Sequence, residues 1–237
     1  MRPTHSRDLP SQTRRSFVRA SAALALAAVV PTVPAAGFSD ADAARGLKEA
    51  LVRGAEVAVQ QLGRPDGFLG DERVRIPLPD GLRQAEKLMR KLGASRQADE
   101  LVQTMNHAAE QAVVQARPIL VEAVRRMSFD DARRILTGGD DAATQYFRQA
   151  TSASLEAKFL PVVRQATARV KLAEKYDAYA GAASRLGLVS ERDAHLDTYV
   201  TRKTLDGLFL MVAERERAIR RDPVATGSKL LRKVFGR

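Results

Sequence analysis

The apolar residues of this chain recur every three or four positions along most of its length. In residues 40–62, for example, Leu47 and Leu51 lie on one face at helical spacing. Ser39 or Asp40 is placed to cap that helix. Extended over the chain, the pattern predicts an all-α fold: a single-domain multi-helix bundle of about seven to nine helices with one long Pro/Gly-rich loop.

Further helices follow from the same periodicity and from capping signals. Ser128 and Asp131, and again Ser190 and Asp193, have the spacing of a capping box. Pro118 marks either a kink or a new helix start. The predicted helices cover residues 40–62, a segment from 80, 95–115, 118–127, 128–136, 141–149, 152–175, 176–186, 190–222 and a short last helix from 227 or 228.

Residues 63–81 interrupt the helical pattern with three prolines and four glycines. Arg64–Gly67 has the composition of a turn in which the proline fixes φ and the glycine supplies a positive φ. Loops of this length often serve as a lid or a binding surface. The alternative is a strap pinned across the helices by Phe68, Ile76 and Leu78.

Two glycines and two aspartates open the stretch TGGDDAATQYF, residues 137–147. A phosphate loop is disfavoured because Asp140 and Asp141 would repel an anion at a helix N-terminus. A calcium loop needs six or more oxygen ligands, which this stretch lacks. We interpret it as a helix start in which Gly138 closes one helix, Gly139 turns the chain and Asp140 caps the next. The buried face of that helix would hold Ala143, Tyr146, Phe147 and Ala150.

The first residues have the pattern of an export signal. A basic segment, TRRSFVRA, precedes the apolar run SAALALAAVVPTV and a small-residue region that suits cleavage near Ala35. Arg14 and Arg15 resemble a twin-arginine signal, and a general secretory signal is the alternative. We predict a signal peptide over residues 1–35 and a periplasmic protein with one α-helical domain over residues 40–237.

Most of the positive charge beyond the signal lies near the C-terminus. The chain has a formal net charge of +11, and residues 1–35 carry five arginines and one aspartate, which leaves +7 for the rest. The last short helix places Lys229, Arg232 and Lys233 around apolar residues. It would contact an envelope protein or an anionic membrane surface, or dock on its own core. Export and the lack of aromatic residues near the basic run argue against nucleic acid as a partner.

Few residues suggest a chemical reaction. The chain has no cysteine, no G-x-S-x-G and no glycine-rich nucleotide fingerprint, so we name no catalytic residue. His107 and Glu110 are three residues apart, but one H-x-x-E lacks the second ligand pair of a helix-bundle metal site. We predict no metal and no cofactor. The residues best suited to bind another ligand are Asp66, Asn106, Glu110, Asp140, Asp141, Thr144 and Arg148.

Several stretches, in order, resemble one bacterial family. They are GLKEALVRGAEVAVQQLGRPDGF, RIPLP, LTGGDDAATQYFR, FLPVV, YVTRKTLDGLFLMVAERERAIRRDP and LLRKVFG. From about Gly46 to Gly236 the chain is similar to domain-of-unknown-function family 4197. The resemblance implies an exported helical protein and no established activity. Relatives usually have arginine where this chain has His107, which argues against a metal site as a family function. Some relatives have lipoprotein signals, but a chain without cysteine lacks the residue for that anchor.

Three functions are compatible with these observations. The leading prediction is a non-enzymatic periplasmic binding or interaction module. The second is an enzyme or a cofactor- or small-ligand-binding protein, with a site near residues 64–78 and 137–144. The third is an envelope-associated structural protein that docks through its basic C-terminal helix. Whether the protein is an enzyme stays open at this point.

Overall fold

The computed structural model describes residues 39–80, 83, 96–168, 173, 176 and 195–222. These residues form six helices and no strand: α1 Asp40–Leu62, α2 Arg96–Val113, α3 Ala116–Arg126, α4 Phe129–Thr137, α5 Ala142–Thr167 and α6 Leu196–Arg221. The predicted all-α class is confirmed. The signal peptide and the helices expected after 80, near 176–186 and after 227 lie outside the described residues, so the expected seven to nine helices are not confirmed.

α1 begins and ends at the residues that its sequence predicts. The Ser39 hydroxyl accepts a hydrogen bond from the Asp42 N–H at 3.2 Å, and the Asp42 carboxylate accepts one from the Ser39 N–H at 3.3 Å. This capping box satisfies groups that a helix start leaves unpaired. Leu47 and Leu51 are buried on the expected face, and Gly63 is the C-cap.

The junctions around α3 and α4 also follow local signals. Pro118 lies in the first turn of α3, where a missing N–H costs no helical hydrogen bond, so a new helix starts there. After the last turn, the Met127 carbonyl accepts a hydrogen bond from Lys48 Nζ at 2.6 Å. Ser128 and Asp131 form the predicted capping box of α4.

α5 differs from its prediction in two ways. It runs unbroken over Ala142–Thr167, whereas the sequence suggested one helix ending at Gln149 and another starting at Ser152. The hydroxyls of Thr151 and Ser152 each donate to a backbone carbonyl one turn earlier, at 2.6 Å. These residues therefore stay inside the helix and do not cap a new one. Ala150, expected on the buried face, is exposed.

The two longest helices, α5 and α6, are antiparallel and pack together. Glu216 near the end of α6 bonds to Thr144 at the start of α5, and Arg164 near the end of α5 donates to Asp197 at the start of α6 at 2.8 Å. α2 packs on both, α1 on α6 and α3, and α4 on α1 and α5. The main core contains four fully buried phenylalanines: Phe68, Phe147, Phe159 and Phe209.

Residues 63–79 form turns and extended backbone, and we call this segment the strap. Phe68, Ile76 and Leu78 are 0%, 1% and 2% exposed, which favours a strap over a lid. The Phe68 ring lies against Gly207 of α6, where an added Cβ would be 2.7 Å from Phe68 Cε1. Glycine at that position lets the ring approach the helix backbone closely.

The turn Arg64–Gly67 forms, but its unusual backbone geometry is at a different residue from the one expected. The Gly67 N–H donates to the Arg64 carbonyl at 2.9 Å. The positive φ, 57°, belongs to Asp66, and not to Gly67 as the sequence suggested. Gly67 is required for space, because a Cβ there would overlap the carbonyl oxygen of Leu62.

All described residues belong to one compact unit, Phe38–Arg237. Among them, no helix combines the length and the apolar character needed to cross a bilayer. The strap and the helices on which it packs belong to this same compact unit.

Candidate functional site

Asn106 of α2 is the first of two buried polar side chains that fasten the strap. Its Oδ1 accepts a hydrogen bond from the Ile76 N–H at 2.8 Å, and its Nδ2 donates to the Ile76 carbonyl at 2.9 Å. Nδ2 also donates to the Val102 carbonyl at 2.8 Å, and Asn106 is fully buried. The amide thus pairs with the extended strap as a neighbouring strand would, so the backbone groups of Ile76 are not buried unpaired.

Glu110, one turn further along α2, is the second fastening. Its Oε1 accepts hydrogen bonds from the N–H groups of Phe68 and Leu69, at 3.0 and 3.2 Å. The residue is 6% exposed, and such backbone donors compensate a carboxylate for its lost hydration. Within the described chain, Oε2 has no hydrogen-bond partner. One oxygen holds the strap and the other is available.

Asp66 and His107 complete a cluster of three side chains around Glu110. His107 Nε2 is 3.5 Å from Asp66 Oδ1, and one potential ligand atom from each of the three side chains lies within 4.8 Å of the others. Asp66 and His107 are both exposed, so the cluster is open to solvent. The H-x-x-E spacing identified two of these residues. Asp66 comes from a distant turn, and no local spacing predicts its approach.

An open groove of about 370 Å³ runs beside this cluster, between α2 and α5. It is lined by Thr104, His107, Ala108, Gln111, Val162, Gln165 and Ala166. Another groove, of about 520 Å³, runs beside the strap at Arg75 and Leu78. Both grooves are open to solvent.

A third open groove, of about 550 Å³, lies between α4 and α5, and we call it the α4–α5 groove. Its lining includes Asp131, Arg134, Ile135, Tyr146 and Gln149. The Tyr146 hydroxyl donates to the Ala123 carbonyl at 2.9 Å. Burial, with a smaller contribution from the charge of Asp131, raises the pKa of Tyr146, so its phenol stays protonated.

The glycine-pair turn is a helix start that Glu216 caps from α6. The Glu216 carboxylate accepts hydrogen bonds from the N–H groups of Ala143 and Thr144, at 2.9 Å each, and from the Thr144 hydroxyl at 2.8 Å. Arg220 Nη2 donates to Glu216 Oε1 at 2.9 Å and compensates the buried charge. A carboxylate of the protein therefore occupies the place where a phosphate loop would bind an anion.

Glu216 also explains why the predicted cap is wrong. The N-cap of α5 is Asp141 and not Asp140, and the Asp141 side chain makes no capping hydrogen bond. It accepts one from Gln145 Nε2 instead, at 3.0 Å. Gly138 does close α4, as expected. Because Glu216 already binds the first free N–H groups of α5, neither aspartate is needed as a cap, and both are exposed.

Arg148 fastens α5 to α6. Its guanidinium carbon is 4.6 Å from the centroid of the Phe209 ring, and its Nη1 is 3.8 Å from Asp206 Oδ1. The first contact is a cation–π interaction. Arg148 therefore has structural contacts within the protein that account for its position.

The residues predicted to bind a ligand fall into two separate groups. Asp66, Asn106 and Glu110 lie at the strap, and Asp140, Asp141, Thr144 and Arg148 lie at the start of α5. The strap cluster adjoins the groove that contains Gln165, near the other end of α5. At 1.5 Å per residue, Thr144 and Gln165 are about 30 Å apart along the helix. The structure does not bring the two groups together, and Lys229, Arg232 and Lys233 lie outside the described residues.

Arg73 clamps the strap to α6. Its guanidinium is 2.7 Å from Glu214 Oε2 and 2.5 Å from Asp71 Oδ2. The hydrogen bond from Arg73 lowers the pKa of Asp71, and the same bond raises the pKa of the Arg73 guanidinium. Both groups are therefore charged at neutral pH, and the strap has an ionic contact in addition to its buried ones.

These contacts define the molecule as an all-α bundle whose buried acids and amide hold distant backbone segments in place. Residues 37–236 match the sequence model of the family described as Protein of unknown function (DUF4197). The match covers most of the chain, so the protein belongs to this family, as the resemblance of its sequence indicated. Searches of curated proteins and of solved structures gave no match.

Proposed function

We propose that this protein is exported to the periplasm and acts there as a non-enzymatic binding module. The observation that supports this most directly is how its buried polar side chains are used. Asn106, Glu110 and Glu216 are each bonded to the backbone of another segment. A buried polar side chain with backbone partners of this kind has a structural role in the fold.

The spaces that could take a partner are on the surface. Among them the α4–α5 groove combines an apolar wall at Ile135 with the charges of Asp131 and Arg134 and the amide of Gln149. A mixed lining of this kind suits side chains of another protein, since interfaces pair apolar contacts with a polar rim. We therefore propose the α4–α5 groove as the main contact surface for a protein partner.

A photo-crosslinking amino acid tests this surface in living cells. Placed at Gln149, in the groove, it should give a discrete heavier species after illumination. Placed at Arg45 on α1, whose side chain is 74% exposed, it should give none. A crosslinked product at Arg45 and not at Gln149, or no product at either position, would contradict the proposed surface.

Export is proposed from the sequence of residues 1–35. The experiment is fractionation of cells that make the wild-type chain or the double variant Arg14→Lys, Arg15→Lys. A twin-arginine signal requires both arginines, so we expect the variant to stay in the cytoplasm with its signal uncleaved. Periplasmic recovery of the variant would assign the general secretory route, and cytoplasmic wild-type protein would contradict export.

Docking of the basic C-terminal helix on an anionic surface is a proposal that rests on its sequence. Lys229, Arg232 and Lys233 flank apolar residues, as in helices that lie on membranes. A sedimentation assay with vesicles rich in anionic lipid, using the wild-type chain and a Lys229→Glu, Lys233→Glu variant, separates this role from groove binding. Equal sedimentation of both chains would contradict it.

A further inference from the structure

The cluster of Asp66, His107 and Glu110 has the composition of a metal site. We propose that these three side chains bind one divalent transition-metal ion, of which Zn²⁺ is the best fit. An imidazole with two carboxylates is a donor set that zinc accepts readily, with water in the fourth position. Mg²⁺ and Ca²⁺ prefer oxygen ligands alone, so the imidazole favours zinc, nickel or cobalt over them.

The spacing of the ligand atoms suits that assignment. With ligands at about 2.0–2.2 Å from a tetrahedral Zn²⁺, the ligand atoms are about 3.4 Å from one another. His107 Nε2 and Asp66 Oδ1 are already 3.5 Å apart, and the whole set lies within 4.8 Å. Because Asp66 and His107 are exposed, a small change of side-chain rotamer is enough to close the remaining distance.

One ligand side chain, and the backbone that carries a second, are held in place before any ion binds. Glu110 is buried and its Oε1 is fixed by the N–H groups of Phe68 and Leu69, which leaves Oε2 for a metal. The backbone of Asp66 is fixed in the strap, where the Gly70 N–H donates to its carbonyl at 2.9 Å, and the exposed carboxylate is free to turn toward an ion. Hydrogen bonds that orient ligands in this way are typical of protein metal sites.

The charges at the cluster also favour a cation. Asp66 and Glu110 bring two negative charges close together, and the residues that the structure describes supply no lysine or arginine in an ion pair with either. A divalent ion bound between the two carboxylates cancels this repulsion. The charge balance of the cluster therefore points to the same occupant as its donor atoms.

The test is isothermal titration of Zn²⁺ into the untagged wild-type protein, freed of metal with a chelator. We expect one ion per chain. In His107→Arg, the guanidinium places a positive charge beside Asp66 but offers no metal ligand at neutral pH. In Asp66→Asn, the new side chain tolerates the positive φ but lacks the carboxylate. The variants His107→Arg and Asp66→Asn should each bind Zn²⁺ at least about 30-fold more weakly.

His195 provides the matched control, because it is the other histidine outside the signal region and lies, exposed, at the start of α6. The His195→Gln variant should bind Zn²⁺ as the wild type does. Circular dichroism without metal should show the same helix content for all variants, which separates lost ligation from lost folding. Undetectable binding by the wild type, unchanged binding by His107→Arg, or a loss in His195→Gln would each overturn the site.

The proposed metal site and the proposed contact surface are tested separately. Crosslinking at Gln149 depends on a groove at the start of α5, whereas Zn²⁺ binding depends on the strap. Failure of either experiment therefore leaves the other proposal standing. Mg²⁺ titrated in place of Zn²⁺ should bind at least about 100-fold more weakly, and equal affinity for the two ions would also contradict the assignment.

Discussion

Glu216 Oε2 lies 2.9 Å from the Thr144 backbone nitrogen and 2.8 Å from the Thr144 hydroxyl. One side chain near the end of α6 thereby caps the start of α5, two helix ends that are 72 residues apart in the chain. The bond fixes the antiparallel register of the two longest helices. The Glu216 carboxylate also occupies the place at the glycine-pair turn where an anion would bind. In a phosphate-loop protein that place is open to the phosphate.

Replacement of Glu216 by alanine should strongly destabilise the protein. It leaves the N–H groups of Ala143 and Thr144 without an acceptor in a buried place and removes the carboxylate that pairs with the Arg220 guanidinium. Losses of this kind cost about 3–5 kcal/mol. Chemical unfolding followed by circular dichroism measures the loss. Glu214→Ala, two residues away, breaks only the more exposed ion pair with Arg73 and should cost less than about 1 kcal/mol. Equal losses for the two variants would mean that the cap contributes little.

Two glycines in helices should respond to alanine with opposite signs. A Cβ at Gly207 would be 2.7 Å from Cε1 of the buried Phe68, so Gly207→Ala should lower the free energy of unfolding by about 1–3 kcal/mol. A Cβ at Gly54 would be 3.5 Å from Ile219 Cδ1, an ordinary contact. Gly54→Ala should therefore raise the free energy of unfolding by up to about 1 kcal/mol. Thermal unfolding of both variants decides this, and the same sign for both would contradict the packing described.

Asn106→Ala should loosen the strap. The substitution leaves the N–H and the carbonyl of Ile76 unpaired in the core, which costs about 2–3 kcal/mol. We expect faster hydrogen exchange at the Ile76 amide and earlier proteolysis within residues 63–79. Thr104→Ala on the same helix removes only a bond to the Glu100 carbonyl and should change neither rate. An unchanged exchange rate in Asn106→Ala would show that the strap is held by its apolar side chains alone.

The capping box of α4 should make stability depend on pH in the acid range. The Ser128 hydroxyl and N–H lower the pKa of Asp131, with a further contribution from Arg134. Because the folded-state pKa is below the ordinary value, the stabilisation is complete above the ordinary aspartate pKa and is lost as the pH falls through the folded value. The difference in unfolding free energy between wild type and Asp131→Asn should be about 1 kcal/mol at neutral pH and should vanish in acid. A difference that does not change with pH would contradict this origin.

Local signals predicted the starts of α1 and α4, where both partners of the capping contact are neighbours in sequence. Ser39 and Asp42, and Ser128 and Asp131, cap their helices from three residues away, so each box can be identified in a short window. The presence of a new helix at Pro118 followed from the chemistry of one residue, although α3 begins two residues earlier, at Ala116. The all-α class needed only composition and periodicity.

Contacts between distant segments could not be predicted in that way. Glu216 lies in the charged run ERERAIRR, which looks like a solvated helix face, yet it is 5% exposed and caps another helix. Asp140 is therefore not the N-cap of α5 that its position in the sequence suggested. In the strap, Asp66 approaches His107 only because Asn106 and Glu110 hold the extended chain against α2. The candidate metal site therefore follows from tertiary packing, whereas the sequence argued against it.

We propose that the mature protein acts in the periplasm by binding. Native mass spectrometry of the protein taken from periplasmic extract, compared with the same sample after denaturation, tests this most directly. We expect a chain that begins near residue 36 and carries additional mass that denaturation removes. The same extract from a His107→Arg strain separates the mass of a metal ion from that of a partner. A chain that retains residues 1–35, or one with the same bare mass before and after denaturation, would contradict the account.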